Sequence, residues 1–586
     1  DIFMIKDLKM SVVFPRYGIK SETEKDGFFE GDTAANIFEN IVEITLDVDC
    51  TQLPYDFTKT FCAEYGVYID IRLNRKIEGA LSRVLYNPFW SAPSFERDMT
   101  KILDNVQNML LKTNDGYIAV LPICISDYCA VVIHSDDSDA VRIGVSPNYE
   151  GVFRLNGVAA ILAKDNDPYK AVYAAYEYAY NRGYIKTPLK YKKHLPDIYK
   201  GLGWCTWNAC YHGVSEKLIF EKMEEFNSKN IPIKWIMIDD GWSKISKKNN
   251  FQISSFYEES AKFPNGLKGC IDRLKKEYNV EAVGVWHSLT GYWYGVEKES
   301  ELFQSQKDNL AETNSGWYIP DGSKAYRFFH TWHLYLKEQG VDFVKIDTQG
   351  NTFEFLRGEK DCIKKCIEIQ MAADRSAYEV FGDNVINCMG MSNLNAHYRP
   401  YTAVSRSSDD FYPEKPESFS SHIIQNVYNS VFLDHLFFCD FDMWWTSGEV
   451  AKQSCILRAI SGGPVYVSDK IGETNEKYLK ALLDSKGNLT LCNHAALPVE
   501  DCLFENPVGE VLKLYNRTDS KCIVAVFNLS EQEKSFDLEA SDFQLESIKT
   551  VYYPLEEKMV DIEMLKNSYI EPYGVRIYVA ENGNYN

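Results

Sequence analysis

Eight short apolar runs between residues 202 and 468 limit what this chain can fold into. They are LGWCTW (202–207), KWIMID (234–239), AVGVWH (282–287), DFVKID (342–347), VINCM (385–389), TAVSR (402–406), LFFCDFDM (436–443) and PVYVS (464–468). Each is nearly continuous in apolar residues, the pattern of strands buried on both faces. Stretches with helical spacing lie between most of them: SEKLIFEKMEEFNSKN, GLKGCIDRLKKEY, YRFFHTWHLYLKEQG, DCIKKCIEIQMAADRS and SHIIQNVYNSVFLDH. Eight strand–helix units predict a (β/α)₈ barrel in preference to an open doubly wound sheet. The gap between the fifth and sixth runs is too short for a full helix. An insert at 288–325, rich in Tyr and Trp, separates the third run from its helix.

The flanks have a different period. Up to about residue 165, IVEITLDVDC, GVYIDIRL, YIAVLPICI, CAVVIHS and AVRIGVS alternate with turn residues and suggest a β-sandwich. PYKAVYAAYEYAYNRG (168–183) switches to helical spacing and ends at Gly183, a C-cap candidate. KTPLKYKKHLP has no periodicity and reads as a linker, and EVLKLYN, CIVAVFNL, KTVYYPL and VRIYVA mark a small antiparallel β-domain. The expected organisation is multidomain: an N-terminal β-sandwich with trailing helix (1–185), a linker (186–200), a central barrel (201–484) and a C-terminal β-sandwich (485–586). A chain of 586 residues exceeds one compact core.

A net charge of −21 disfavours nucleic acid and anionic membranes as partners, which call for clustered Lys and Arg. No apolar run reaches the ~20 residues of a membrane-spanning helix. The expected partner is a neutral small molecule, with self-association left open. The 15 cysteines are odd in number and scattered, which reads as a reduced, cytoplasmic chain, although a first residue of Asp1 leaves a removed leader open. HExxH, Walker A and GxGxxG patterns are missing. Cys362 and Cys366 share a helical face without a second ligand pair, so neither metal nor cofactor is expected.

In a barrel the working groups sit at the C-terminal ends of the strands. Those ends carry Trp204 and Trp207, Asp239 and Asp240, Trp286 and His287, Lys345 and Asp347, Asn387 and Cys388, Arg406 with Asp409 and Asp410, and Asp442. Any one Asp after a strand is more often a helix cap or turn residue. Trp204 and Trp207 taken singly are more often core, and His287 is as readily structural as substrate-binding. Acidic groups or His at five of eight strand ends are harder to explain that way. Carboxylates take up vicinal hydroxyls, aromatic faces cover the C–H face of a pyranose, and Lys345 beside Asp347 favours an ionised nucleophile. Two carboxylates facing one bond are the working parts of a glycosidase.

The segments GWCTWNACY (203–211), IDDGW (238–242), VWHSLTGYW (285–293), VKID (344–347), NCMGM (387–391), RSSDDFYP (406–413) and RAISGGPVYVSD (458–469) resemble, in order, glycoside hydrolase family 36 in its raffinose-synthase-like, or alkaline α-galactosidase, branch. The resemblance implies a retaining enzyme that releases or transfers terminal α-galactosyl groups. By motif, Asp347 is the nucleophile. The acid/base lies in RSSDD, where the pattern of Arg, three residues, then Asp selects Asp410, with Asp409 the alternative. Asp239 and Asp240 would bind O4 and O6 of galactose. Trp207 would line the pocket, Lys345 and Arg406 would bond hydroxyls, and Asp442 would close it. Trp286 and His287 come from VWHSLTGYW. Cys388 would face the C2 substituent, which leaves N-acetylgalactosamine open. Asn208 stands where plant members usually have Asp, and the chain is shorter than theirs, which puts transferase activity in question. Three readings result: a retaining α-galactosidase acting on an oligosaccharide or glycoside, a galactosyltransferase using the same carboxylates, and a non-catalytic carbohydrate-binding protein.

Overall fold

The computed structural model describes residues 5–14, 19–21, 29–53 and 66–581. Each of the eight apolar runs contains a strand: β1 (Leu202–Cys205), β2 (Ile233–Ile238), β3 (Ala282–Ser288), β4 (Phe343–Asp347), β5 (Val385–Asn387), β6 (Val404–Arg406), β7 (Phe438–Asp440) and β8 (Tyr466–Val467). They form one sheet of parallel neighbours in the order β7-β6-β5-β4-β3-β2-β1-β8. A parallel bridge between Trp444, just past β7, and Val467 of β8 brings the two ends of that order together. The molecule is multidomain, and this sheet is consistent with a (β/α) barrel.

Strand alternation explains the interior. Cys205, Trp235, Met237, Ala282, Phe343, Ile386, Val404 and Tyr466, from β1 to β6 and the closing β8, share one buried cluster. Trp235 packs against both Phe343 of β4 and Tyr466 of β8, with ring centroids 5.7 and 5.1 Å apart. Such large rings fit because their neighbours are small. A Cβ at Gly203 would collide with the Trp235 ring, and one at Gly284 with the Phe343 ring. The floor is closed by Tyr199, fully buried against Trp235 and Phe343. The stretch expected to be a featureless linker is therefore tied down: it carries 3₁₀ turns at Lys190–Lys192 and Asp197–Lys200.

Between β5 and β6 only the four-residue helix Asn393–Ala396 forms, as the short spacing requires. The Tyr- and Trp-rich insert holds the helix Glu301–Gln306 and a small hairpin, Leu310–Glu312 with Tyr318–Pro320.

The N-terminal strands, from Ile5–Phe14 to Arg154–Asp165, form one thirteen-stranded sheet of antiparallel pairs. It folds over so that Val12 and Ile69 from one end share a core with Val42 and Ile44 from the other. Its other face, through Leu81, Leu110 and Leu121, packs with helix α1 (Pro168–Asn181) against the central unit. Asp167 caps α1, accepting from the amides of Tyr169 and Lys170, and Gly183 follows at φ 74. Residues 497–581 carry a six-stranded antiparallel sheet with its own core. The fourteen described cysteines are all free, and Cys62 lies outside the described residues. Among the described residues no helix is long and apolar enough to cross a membrane.

Candidate active site

The ends of β2, β3 and β4 build the floor of a pocket. Lys345 and Asp347 are two apart on β4 and share its inner face. Lys345 Nζ donates to Asp239 Oδ2 at 2.8 Å, and both side chains are 4% exposed. Burial, the largest single influence, pulls the Lys345 ammonium down, but the charges around it, Asp239 first and Asp347 among the rest, together hold its pKa well above the ordinary value. Asp347 accepts from Trp286 Nε1 at 2.7 Å on one oxygen and from the Thr348 amide at 2.9 Å on the other. Burial pushes its pKa up. The charge of Lys345 and the Trp286 hydrogen bond oppose that rise, and the charge of Asp410 adds to it. Asp347 is thus a buried carboxylate beside a fixed cation and within the field of Asp410.

Asp240 is held from two sides, by the Tyr292 hydroxyl at 2.8 Å and His212 Nε2 at 3.1 Å. Asp240 shifts the His212 imidazole to a higher pKa. Trp207, half-buried on the short helix above β1, packs edge-on against His212 and Tyr211.

β6 and β7 supply the other wall. Arg406 is 1% exposed and gathers three groups: Asp410 Oδ1 at 3.1 Å, Asp442 Oδ1 at 3.0 Å in a close ion pair, and Cys388 Sγ at 3.4 Å. Asp442, at φ 71, also accepts from the Phe411 amide at 2.8 Å, which fixes the loop that follows Asp410. Burial raises the Asp442 carboxyl, while Arg406 opposes it. The Asp410 side chain is 39% exposed. Asp409 points elsewhere: it accepts from the Tyr86 hydroxyl at 2.6 Å, and one of its oxygens takes the Asp410 amide at 2.7 Å.

Asp239, Lys345, Asp347, Trp286, Cys388, Arg406, Asp410 and Asp442 are therefore linked through shared partners and charges, with Asp240 and Trp207 on the adjoining wall. His287 is not among them. Alternation along β3 turns it to the outer face, where it is 1% exposed, packs on Trp332 and bonds His333 at 2.8 Å. Of the two readings open for His287, this placement favours the structural one over substrate binding. Burial lowers its pKa to about 4. Trp286 serves as a hydrogen-bond donor to Asp347 and is itself held by Trp242, whose Nε1 donates to the Trp286 carbonyl.

Three contributors escaped the sequence reading. Tyr292 lies inside the quoted VWHSLTGYW segment and His212 just beyond GWCTWNACY, so proximity to a motif was an available signal. Tyr86 had none: it belongs to the N-terminal β-rich segment, whose 86–90 turn seats on the loop after β4. A Cβ at Gly350 would collide with the Pro88 carbonyl there, and the Arg406 guanidinium lies over the Trp90 ring, 5.2 Å from its centroid.

Carboxylates and aromatics thus gather at the ends of parallel strands, set between two β-rich flanks. A family 36 α-galactosidase from Geobacillus stearothermophilus, solved in complex with raffinose, superposes with a TM-score of 0.61 over 98% of this chain and 87% of its own, at 11% identity, a likeness of fold alone. A GH27 β-L-arabinopyranosidase from the same organism superposes at 0.51 over 68% of this chain and 98% of its own, at 16% identity. The family model described as raffinose synthase or seed imbibition protein Sip1 matches residues 89–571, and the chain belongs to that family. The expected kinship is borne out. Among curated relatives, a probable galactinol–sucrose galactosyltransferase 6 of Arabidopsis thaliana is 30% identical over 58% of this chain and 50% of its own length. A galactinol–sucrose galactosyltransferase of Pisum sativum is 29% identical over 62% and 53%. The chain spans about half the length of these relatives.

Proposed function

We propose that the protein cleaves terminal α-galactosides with retention of configuration, in a (β/α)₈ barrel at residues 201–484 flanked by β-domains at 1–185 and 485–586. The observation that carries this reading is the pairing of a buried carboxylate with an accessible one. Asp347 is fixed by Trp286 beside the Lys345–Asp239 ion pair, and Asp410 is held by Arg406 at the open side. In the first step Asp410 gives its proton to the glycosidic oxygen as the C1–O bond breaks and Asp347 attacks C1. In the second, Asp410 takes a proton from water as that water attacks C1 and the C1–Asp347 bond breaks. The assignment of the acid/base to Asp410 over Asp409 rests on the engagement of Asp409 by Tyr86. Asp239 and Asp240 would receive sugar hydroxyls, Trp207 would lie along the ring, and Cys388 would lie beside C2.

A second reading has a sugar hydroxyl replacing water in the second step. The names of the curated relatives, which are galactosyltransferases, favour it.

The test is release from p-nitrophenyl α-galactoside beside the α-N-acetylgalactosaminide and the α-glucoside, with Asp347→Asn as control. Release from the galactoside alone, lost in the variant, is expected. Release from the acetylgalactosaminide instead would move the specificity to the surroundings of Cys388. A product formed only when sucrose is added would favour the transferase, and silence on every donor would overturn both readings.

A further inference from the structure

Three hydroxyls behind the pocket floor have no part in the chemistry above. Ser288 ends β3, Thr290 follows it by two residues, and Thr348 comes directly after Asp347 at the end of β4. All three residues are fully buried. Ser288 Oγ is in close contact with Thr348 Oγ1 and lies 3.0 Å from Thr290 Oγ1. It also accepts from the Thr290 amide at 3.2 Å and reaches the Tyr292 carbonyl at 3.3 Å. Thr290 Oγ1 donates to the same carbonyl at 2.7 Å.

These bonds run in one direction. The Thr290 hydroxyl proton is committed to a carbonyl, which can only accept, so Ser288 is the donor between those two residues. With the Ser288 proton in use, Thr348 is the donor to Ser288. Thr348, Ser288 and Thr290 thus form a chain of donors that ends on the backbone of Tyr292, and in such a chain each bond polarises the next. Its two ends touch two carboxylates of the pocket. At one end the Thr348 amide donates to Asp347 Oδ1 at 2.9 Å, while Trp286 donates to Oδ2. At the other end the Tyr292 hydroxyl donates to Asp240 Oδ1 at 2.8 Å.

The backbone of Thr348 is the second observation. It lies at φ 54, and among the described residues it is the one β-branched residue in the left-handed region. A branched Cβ makes that region unfavourable, and such a conformation persists where the surroundings over-determine it. Here the left-handed turn accompanies the return of the residue 348 amide onto the side chain of Asp347, and the hydroxyl bond to Ser288 holds the residue in that conformation. Glycine would take this φ without penalty but would lack the hydroxyl.

We propose that Thr348 is a positioning residue for Asp347, and that the Thr348–Ser288–Thr290 chain sets Asp347 and Asp240 as one unit, coupling the seat of the nucleophile to the seat of the sugar. This inference rests on the α-galactoside reading of the preceding subsection. A donor on each oxygen keeps the Asp347 carboxylate from rotating, so that its attacking oxygen stays aligned with C1.

The experiment measures kcat and KM on p-nitrophenyl α-galactoside for wild type, Thr348→Val, Thr348→Ser, Tyr292→Phe and the Thr348→Val/Tyr292→Phe double variant. Valine keeps the shape and the branched Cβ but cannot donate. Thr348→Val is expected to lower kcat about tenfold with KM within about threefold of wild type, and Thr348→Ser to recover most of that loss. Tyr292→Phe should lower kcat/KM as well. The double variant should fall short of the product of the two losses by about threefold or more, because each change frees one end of the same unit. Wild-type kcat in a Thr348→Val variant that melts with the wild type would overturn the positioning role. Losses that simply multiply would overturn the coupling. Both results would leave the α-galactoside reading intact, whereas wild-type protein inert on the donor would overturn that reading and the inference with it. Should Thr348→Val fail to fold, Ser288→Ala breaks the same chain one bond further along and is read against Tyr292→Phe in the same way.

Discussion

The floor and the mouth of the pocket are built in opposite ways. On the floor, Asp239 and Lys345 are 4% exposed, and they are set by adjacent strand ends whose alternation fixes which way they point. At the mouth, Asp410 is 39% exposed and sits in a loop held by Arg406, Asp442, Gln425 and a tyrosine from the N-terminal sheet. The floor is buried and its charges are paired in place, which suits a nucleophile that must not move. The mouth is exposed and assembled from distant segments, which suits a group that exchanges protons with incoming molecules.

That contrast makes graded predictions. Asp347→Asn should have the largest effect, a loss of turnover on every α-galactoside beyond the ~10⁴-fold that general acid–base catalysis supplies, read from initial rates. Asp410→Asn should cost roughly 10²–10⁴-fold on raffinose but far less on a donor with a good leaving group. Added azide should restore turnover and give the α-galactosyl azide, as azide opens the C1–Asp347 bond of the β-linked intermediate from the opposite face. If both variants lost activity equally on all donors, floor and mouth would not have separate roles.

Lys345→Met tests whether the floor is as dry as its exposure implies. It leaves Asp239 buried without its cation, and urea unfolding should show a loss of about 3–5 kcal/mol. Loss of less than ~1 kcal/mol, the range of surface pairs, would mean that water reaches the pair.

The smallest effect concerns the outer face. Buried His287 has a pKa near 4 in the folded protein, against an ordinary value of 6.5. The unfolded chain therefore takes up the proton first, and stability present above pH 6.5 drains away as pH falls toward 4, by roughly 3 kcal/mol for this group. His287→Phe should flatten that part of the stability–pH curve and leave kcat/KM at neutral pH within about twofold. A larger loss of activity would return His287 to the site.

The eight strands were legible because a strand buried on both faces has no option but a continuous apolar run. The Asp–Lys–Asp floor was legible for the same reason: polar residues closing such runs have only the pocket to face. The placement of His287 shows the limit of that signal. A strand end presents two faces, and the sequence around AVGVWH does not say which of Trp286 and His287 turns inward. The register with β4 decides that, by pairing Trp286 with Lys345 and setting it beside Asp347.

What the sequence determined by itself is the periodicity of the chain and the chemistry stored at its strand ends, because these depend on neighbours a few residues apart. What only the tertiary structure decided is which of Asp409 and Asp410 turns to Tyr86 and which to Arg406. That choice depends on Tyr86, which is separated from Asp409 by 323 positions and is brought to it by packing of the N-terminal sheet against the central unit. No local pattern records a contact of that span, since it is fixed by how whole layers close on one another.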